Sequence, residues 1–409
     1  MKTSNYLKPW GLSHSNRMPA EFHKAFQQDL DNGLRQLEAR DRRRSLGEIA
    51  GVNLCSNDYL GLAESDALRA AVLDAVQQAA RVGGTGSRLL SGHLDVWDDL
   101  EQEFAEFAGT EAALYFGSGY AANIGLLTSV LRKSDIVFSD ELNHASLIDG
   151  IRLSGARKAI YPHLDLNVLE QGLRSRSNEG GRKFVVTETV FSMDGDVAPL
   201  VEMAELCERF GAGLILDEAH ATGVHGPSGR GIAVAMGLAA DAIGVTHMCG
   251  KALASVGAFV CGSAALKEHL VNHARTFIFS TAMPPYMAEQ IRAGLRLALT
   301  MDKQREELLA RAERLAASLR SQGWDAGNGA TQITPVVMGE NEEAVAAAEF
   351  LQQEGFAVRA IRPPTVPKGS ARLRLSLTSR IAEDEIARLE NSMYAWRDRA
   401  CSTAAAGRA

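Results

Sequence analysis

Residues 213–220 read GLILDEAH and residues 244–259 read GVTHMCGKALASVGAF. Each opens with a short, charge-free apolar run and ends on polar residues at a turn. Runs of this length, bounded by glycine, are what strands buried on both faces of a parallel sheet look like. In an open α/β sheet the carboxyl ends of the strands face the ligand. Asp217 ends the first run, and a bare carboxylate there is costly unless something pairs with it. Lys251 follows the second run, behind Gly250 and ahead of fifteen uncharged residues. Enclosure of that kind lowers a lysine's pKa and frees its amine for Schiff-base chemistry. The two residues are one strand apart in the same predicted sheet.

Four readings of Asp217 stand side by side. It could be an ion-pair partner or a helix cap. The string DEAH could be part of a nucleotide-hydrolysis site, but this needs a GxxxxGK[ST] phosphate loop upstream. The nearest string, 244–252, lies downstream, has one residue too many and ends in alanine. Asp217, His220 and His225 could hold a metal, without a distinctive ligand spacing. Lastly, Asp217 could hold the protonated ring nitrogen of a cofactor that acts as an electron sink.

Outward from these two stretches, apolar runs alternate with helical patterns. Strands are expected at 112–116, 136–139, 157–161, 183–188 and 242–247, with 257–262 returning along the sheet. Helices are expected at 66–80, 95–108, 120–131, 144–154, 165–174 and 199–210. This is an α/β fold, a mostly parallel sheet flanked by helices. After a helical stretch at 284–321 the pattern changes to strand (331–338), helix (342–354), strand (356–361), proline-rich loop, strand (371–377) and a final amphipathic helix. The expected organisation is an N-terminal segment at 1–55, a large cofactor-binding domain at 56–290, a smaller C-terminal α+β domain at 291–400 and a frayed tail at 401–409. Residues 1–50 read as polar and weakly periodic.

Composition narrows the function. The chain has 409 residues, 46% hydrophobic and 23% charged, which is ordinary globular composition. Its net charge of −7 disfavours nucleic acid as a partner. The basic run Arg40, Arg42, Arg43 and Arg44 reads as a solvated face or a local binding element. Five cysteines without a CxxC pair argue for a reducing compartment and against a disulfide framework. The first residues carry no apolar leader core, and the uncharged stretch 112–131 holds too many glycines and polar groups to span a membrane. A cytoplasmic protein is expected, with neither membrane nor metal.

One more element carries chemistry. Residues 116–122, FGSGYAA, mark a strand turning into a helix, where backbone N–H groups can seat a phosphate. His144, in NHASL, is placed to lie over a planar ring or simply to start a helix.

Together these strings resemble the fold-type I pyridoxal-phosphate transferases. More narrowly, they resemble the α-oxoamine synthases, which join an amino acid to an acyl thioester with loss of CO₂. The matching strings are SNDYLGL (56–62), GTGSRLLSG (84–92), SGYAAN (118–123), NHASL (143–147), TETVFSMDGDVAPL (187–200), DEAHATGVHG (217–226), GKAL (250–253), FSTAMPP (279–285) and ARLRLSLT (371–378). Within the family, AIRPPTVPKGSARLRLSLT (360–378) and GSRLLSG (86–92) are most similar to members that take L-alanine and a pimeloyl thioester, on coenzyme A or on a carrier protein. Members using another amino acid or acyl chain are the near alternative. A non-catalytic binding protein on the same fold is the distant one, and such chains typically lose the lysine.

The resemblance implies pyridoxal 5'-phosphate (PLP) as cofactor and a role for each matching residue. Lys251 links to the cofactor aldehyde and moves the substrate's α-proton. Asp217 faces the ring nitrogen, His144 stacks on the ring, and His220 and Ser192 flank its phenolate side. Ser118, Gly119 and Tyr120 sit beside the phosphate. Thr365 lies near the acyl group, with Arg44 (or Arg43) as a further contact, and Arg374 clamps the amino acid's carboxylate. Ser280 and Thr281 reach the phosphate of a neighbouring subunit, which implies a homodimer. One position departs from the family: its usual threonine three residues before the lysine is Met248 here, and a thioether is a poor phosphate partner. Thr246 or His247 could take over by a local shift.

Overall fold

Seven of the expected apolar runs form one sheet. The computed structural model describes residues 20–48, 50–329 and 331–406. In chain order the strands are β1 (Val52–Asn53), β2 (Ala112–Phe116), β3 (Ile136–Asp140), β4 (Arg157–Tyr161), β5 (Lys183–Glu188), β6 (Ala212–Asp217), β7 (Gly244–Met248), β8 (Ala258–Gly262), β9 (Ile333–Gly339), β10 (Phe356–Ala357), β11 (Ala360–Ile361) and β12 (Ala371–Ser376). The large sheet runs β2-β8-β7-β6-β5-β3-β4. All its pairings are parallel except those of β8, which returns antiparallel between β2 and β7.

The continuous apolar runs are explained by burial on both faces. Phe184, Val186 and Ile215 meet Leu126, Leu127, Leu147 and Ile151 of helices Gly119–Val130 and Ala145–Ser154. Val185, Leu214 and Leu216 meet Leu169, Leu173, Met203 and Leu206 of helices Leu166–Ser175 and Leu200–Phe210. Each such buried aliphatic side chain stabilises the fold by about 1.5–3 kcal/mol. Helix starts follow local chemistry: Ser118 accepts a hydrogen bond from Ala121 N at 3.1 Å, and Asp165 accepts one from Val168 N at 3.0 Å.

A smaller antiparallel sheet, β11-β12-β9, follows in the C-terminal part, and β1 pairs in parallel with β10. The expected strand 356–361 is thus two short strands in two different sheets. The helical stretch 284–321 breaks at Met301 into Tyr286–Leu299 and Asp302–Ser321. The glycine-rich segment 84–92 contains a π-helical turn, Arg88–Gly92. Arg88 anchors it on the buried Glu101, which also holds Lys267 at 2.8 Å and accepts a hydrogen bond from Tyr115 N at 2.9 Å.

Two expectations change. Residues 20–38, read from the sequence as polar and weakly periodic, form a helix, Ala20–Glu38. Its apolar residues Phe22, Phe26, Leu30, Leu34 and Leu37 line one stripe and are all exposed. The last helix, Glu383–Ala406, continues through most of the segment expected to fray. Among the described residues no helix is long and apolar enough to cross a membrane. Cys55, Cys207, Cys249 and Cys261 are free thiols.

Candidate active site

The carboxyl ends of β3, β5, β6 and β7 meet the amino ends of helices Gly119–Val130 and Ala145–Ser154. A cavity of about 330 Å³ lies there, lined by Ser118, Gly119, Tyr120, His144, Asp217, His220 and Lys251, with Ser146, Glu188, Ala219, Met248, Gly250, Ser255, Val256 and Gly257. Seven of the expected residues therefore share one space.

Asp217 is 2% exposed and well paired. Asn123 Nδ2 donates to its Oδ2 at 2.6 Å, and Ala219 N donates to its Oδ1 at 2.8 Å. Lys251 Nζ lies 2.9 Å from His220 Nε2, and His220 Nδ1 lies 2.6 Å from Tyr59 Oη. Arg374 Nη2 reaches Tyr59 Oη at 3.4 Å and Asn57 Oδ1 at 3.1 Å, while its Nε donates to Ser192 O at 2.5 Å. Arg374, Tyr59, His220 and Lys251 thus form one polar chain.

Burial sets the charges. It brings the Lys251 amine down to about 8, against the pull of Asp217 and Glu188. It holds His220 well below the usual imidazole range, with Lys251 and Arg374 adding to the effect. The His144 imidazole is lowered by burial too, partly offset by Asp217. Glu188 is fully enclosed, and burial together with Asp217 raises its carboxyl to about 8. One of its oxygens, Oε1, is buried without a hydrogen-bond partner.

A second cavity, about 600 Å³, shares His144 with the first. Ser192, Thr365 and Arg44 line it, with Phe191, Met193, Ile148 and Val366 among the apolar walls. Arg44 Nη2 donates to Thr365 Oγ1 at 3.1 Å, joining the N-terminal arm to the proline-rich loop. Arg43 instead pairs with Glu38 at 3.1 Å. Ser280 and Thr281 line neither cavity. They border a small separate space with Arg88, Trp97 and Met283.

Several residues with evident roles drew no role from the sequence: Asn57, Tyr59, Asn123, Glu188 and Ser255. All but Ser255 lie inside strings that carried the resemblance, so the signal was present without an assignment. Neither suggested replacement for the missing threonine lines the cavity. Thr246 is buried within β7, and His247 points to the opposite face, 3.0 Å from Thr222 Oγ1 and edge-on to Phe104. Met248 itself lies on the backbone of Gly119, where an added Cβ would come within 2.0 Å of its sulfur.

The structure also sorts the rival readings of Asp217. Residues 244–248 are strand β7 and no phosphate loop. His225 is turned to Gln332 at 2.9 Å, away from Asp217. Among the described residues no three His, Cys, Asp or Glu are placed to share a metal ion. An amine, a buried carboxylate, an imidazole and a helix amino end bounded by a side-chain-free glycine fit a flat aromatic aldehyde with an anionic tail.

Comparison with known proteins agrees with this reading of the fold. The model of the family described as aminotransferase class I and II matches residues 49–391. The chain is 47% identical over 361 residues to the 8-amino-7-oxononanoate synthase of Anaeromyxobacter dehalogenans, covering 85% of this chain and 89% of that protein. It is 43% identical over 375 residues to the synthase of the same name from Geobacter sulfurreducens, covering 88% and 95%. Among solved structures, the serine palmitoyltransferase of S. paucimobilis with bound PLP and myriocin superposes with a TM-score of 0.82 at 28% identity, over 94% of this chain and 98% of that one. The 8-amino-7-oxononanoate synthase of Francisella tularensis superposes with a TM-score of 0.74 at 27% identity, over 85% and 98%.

Proposed function

Because this chain belongs to the aminotransferase class I and II family, and within it to the α-oxoamine synthases, we propose that it condenses L-alanine with a pimeloyl thioester. The products are 8-amino-7-oxononanoate, CO₂ and the free thiol, a step of biotin biosynthesis. One observation carries the PLP chemistry: the Lys251 amine and the Asp217 carboxylate share one cavity, and Lys251 lies 2.9 Å from His220; the choice of alanine and pimeloyl rests on the similarity to 8-amino-7-oxononanoate synthases.

PLP would be held by residues of this site: Lys251 would take the aldehyde, Asp217 the ring nitrogen, His144 one ring face, and His220 with Ser192 the phenolate side. The amino end of helix Gly119–Val130, with Ser118 and Tyr120, would take the phosphate. When bound, PLP supplies an electron-accepting ring that stabilises negative charge at the amino acid's Cα.

The chain's own groups do the rest. Burial lowers the Lys251 amine to about 8, so roughly a tenth of it is neutral at pH 7, far more than for an ordinary lysine, and that form accepts the proton from Cα and later returns it. Asn123 and Ala219 donate to the two oxygens of Asp217 and fix its carboxyl facing the position of the ring nitrogen. Arg374, fixed by Ser192 O and Asn57, supplies the cation for alanine's carboxylate. The second cavity takes the acyl chain, with its carbonyl beside His144 and with Thr365 and Arg44 at its wall.

The exposed stripe on helix Ala20–Glu38 supports a homodimer, because five large apolar side chains in a row on a free surface are costly. In that dimer Ser280 and Thr281 complete the partner's phosphate site. The protein acts in the cytoplasm, and the acyl group arrives on coenzyme A or on a carrier protein.

The test is product analysis by mass spectrometry with L-alanine and pimeloyl groups on either carrier. One 8-amino-7-oxononanoate and one CO₂ per turnover are expected. Turnover of serine with a long acyl thioester, and none of alanine with pimeloyl, would move the chain to a serine palmitoyltransferase-type activity.

A further inference from the structure

Ser255 sits in the connection 249–257 that turns the chain from β7 into β8. Three hydrogen bonds hold this turn: Cys249 N donates to Gly257 O at 2.9 Å, Ser255 N donates to Cys249 O at 3.0 Å, and Ala254 N donates to Lys251 O at 2.9 Å. Two side chains brace it from outside. Tyr115 Oη donates to Val256 O at 3.0 Å, and Gln290 Nε2 donates to Ala254 O at 3.1 Å. Gly257 has φ +85°, and an added Cβ there would come 2.2 Å from Tyr115 Oη.

The sheet register brings this turn to the helix amino end. Phe116 at the end of β2 pairs with Ala258 at the start of β8. One step further, Gly117 and Ser118 run alongside Gly257 and Val256. Ser118, Gly119, Tyr120 and Ser255 accordingly line the same cavity. Ser255 Oγ is buried there without a hydrogen-bond partner, and a buried hydroxyl with no partner costs stability unless a ligand satisfies it. Met248 on the adjoining strand offers only sulfur to the same region.

We propose that Ser255 supplies the side-chain hydroxyl that holds the cofactor's phosphate, in place of the hydroxyl missing at Met248. This rests on the PLP reading above and adds to it one further phosphate contact. The hydroxyl donates to a phosphate oxygen, while the backbone N–H groups at the start of helix Gly119–Val130 donate to the others.

The test separates phosphate recognition from general cofactor fit. Cofactor-free protein is titrated with PLP and with pyridoxal, which lacks the phosphate, and binding is followed by absorbance and by protein fluorescence. In Ser255→Ala the Kd for PLP is expected to rise roughly tenfold to hundredfold, the loss of one hydrogen bond to a charged group, with pyridoxal affinity unchanged within about threefold. Equal weakening of both ligands, or of neither, overturns the proposal. A wild-type protein that binds neither ligand overturns the functional reading instead, so the two failures are distinct. Ser255→Gly removes the same hydroxyl and reads the same ratio if the alanine variant does not fold. A crystal structure of the PLP-loaded wild type needs no variant: Ser255 Oγ is expected within hydrogen-bond distance of a phosphate oxygen, and a side chain turned away from it overturns the assignment.

Discussion

Glu188 and Asp217 are register partners at the ends of neighbouring parallel strands, so two carboxyls enter one cavity side by side. They are not equivalent. Asp217 is held by two donors, whereas Glu188 has an unpartnered oxygen and is raised by burial and by Asp217 itself. Burial and Asp217 bring Glu188 up to about 8, the same range as the Lys251 amine, so Glu188 and Lys251 gain and lose charge together. Lys251 feels both, and each holds its amine's pKa up.

Glu188→Gln should therefore make Lys251 easier to deprotonate. Removing a neighbouring negative charge lowers an amine's pKa, so the acidic limb of the kcat profile, which reports the enzyme–substrate complex where the Lys251 amine is free, is expected to move to lower pH by about half a unit to one unit. A limb that stays in place, or moves to higher pH, would show that Glu188 does not act on Lys251.

Loss of the lysine amine should be the most damaging change. Lys251→Ala is expected to lower kcat by at least about 10³-fold, because both a covalent partner and an acid–base group disappear. Its visible absorbance with PLP should vanish, and hydride trapping should leave no pyridoxyl group on the 251 peptide. Asp217→Asn is expected to keep measurable PLP binding but to lower kcat roughly 10²-fold or more. Near-normal kcat in that variant would remove the electron-sink role.

His163 carries a pH-dependent share of stability. It lies 3.0 Å from Asp140 and 3.3 Å from Asp196, and these carboxylates raise it to about 9 against the opposing effect of burial. A folded pKa above the unfolded value of about 6.5 stabilises fully below pH 6.5, and the contribution is lost as pH rises through about 9. The size is on the order of 3 kcal/mol. Urea unfolding at pH 6 and pH 9.5 should show a larger stability loss in wild type than in His163→Gln. Parallel losses would contradict the assignment.

The apolar stripe on helix Ala20–Glu38 gives a test of assembly. Leu30 is exposed, so Leu30→Glu leaves the protomer's core untouched. If the stripe packs against a second copy, the dimer Kd should rise about 10²- to 10⁴-fold, from the loss of one buried leucine on each side. Sedimentation at micromolar concentration reads this directly, and an unchanged dimer would place the contact elsewhere.

The sequence by itself determined the alternation of strand and helix, the positions of Asp217 and Lys251 at and just beyond the ends of neighbouring strands, and the helix amino end at Ser118–Gly119. These are local facts: an apolar run, a turn and a charged residue at its edge can be read along the chain. It missed helix Ala20–Glu38, whose five apolar residues are diluted among polar ones and lie exposed on the surface of the described residues. Only the tertiary structure placed Glu188 against Asp217, Tyr59 against His220, and Ser255 beside Ser118. Those pairs are 29, 161 and 137 residues apart, and they meet only because sheet register and the packing of the 56–62 segment bring their strands and turns together. Burial then decides the chemistry, since the same lysine or glutamate has its ordinary pKa in water and a shifted one in the closed cavity.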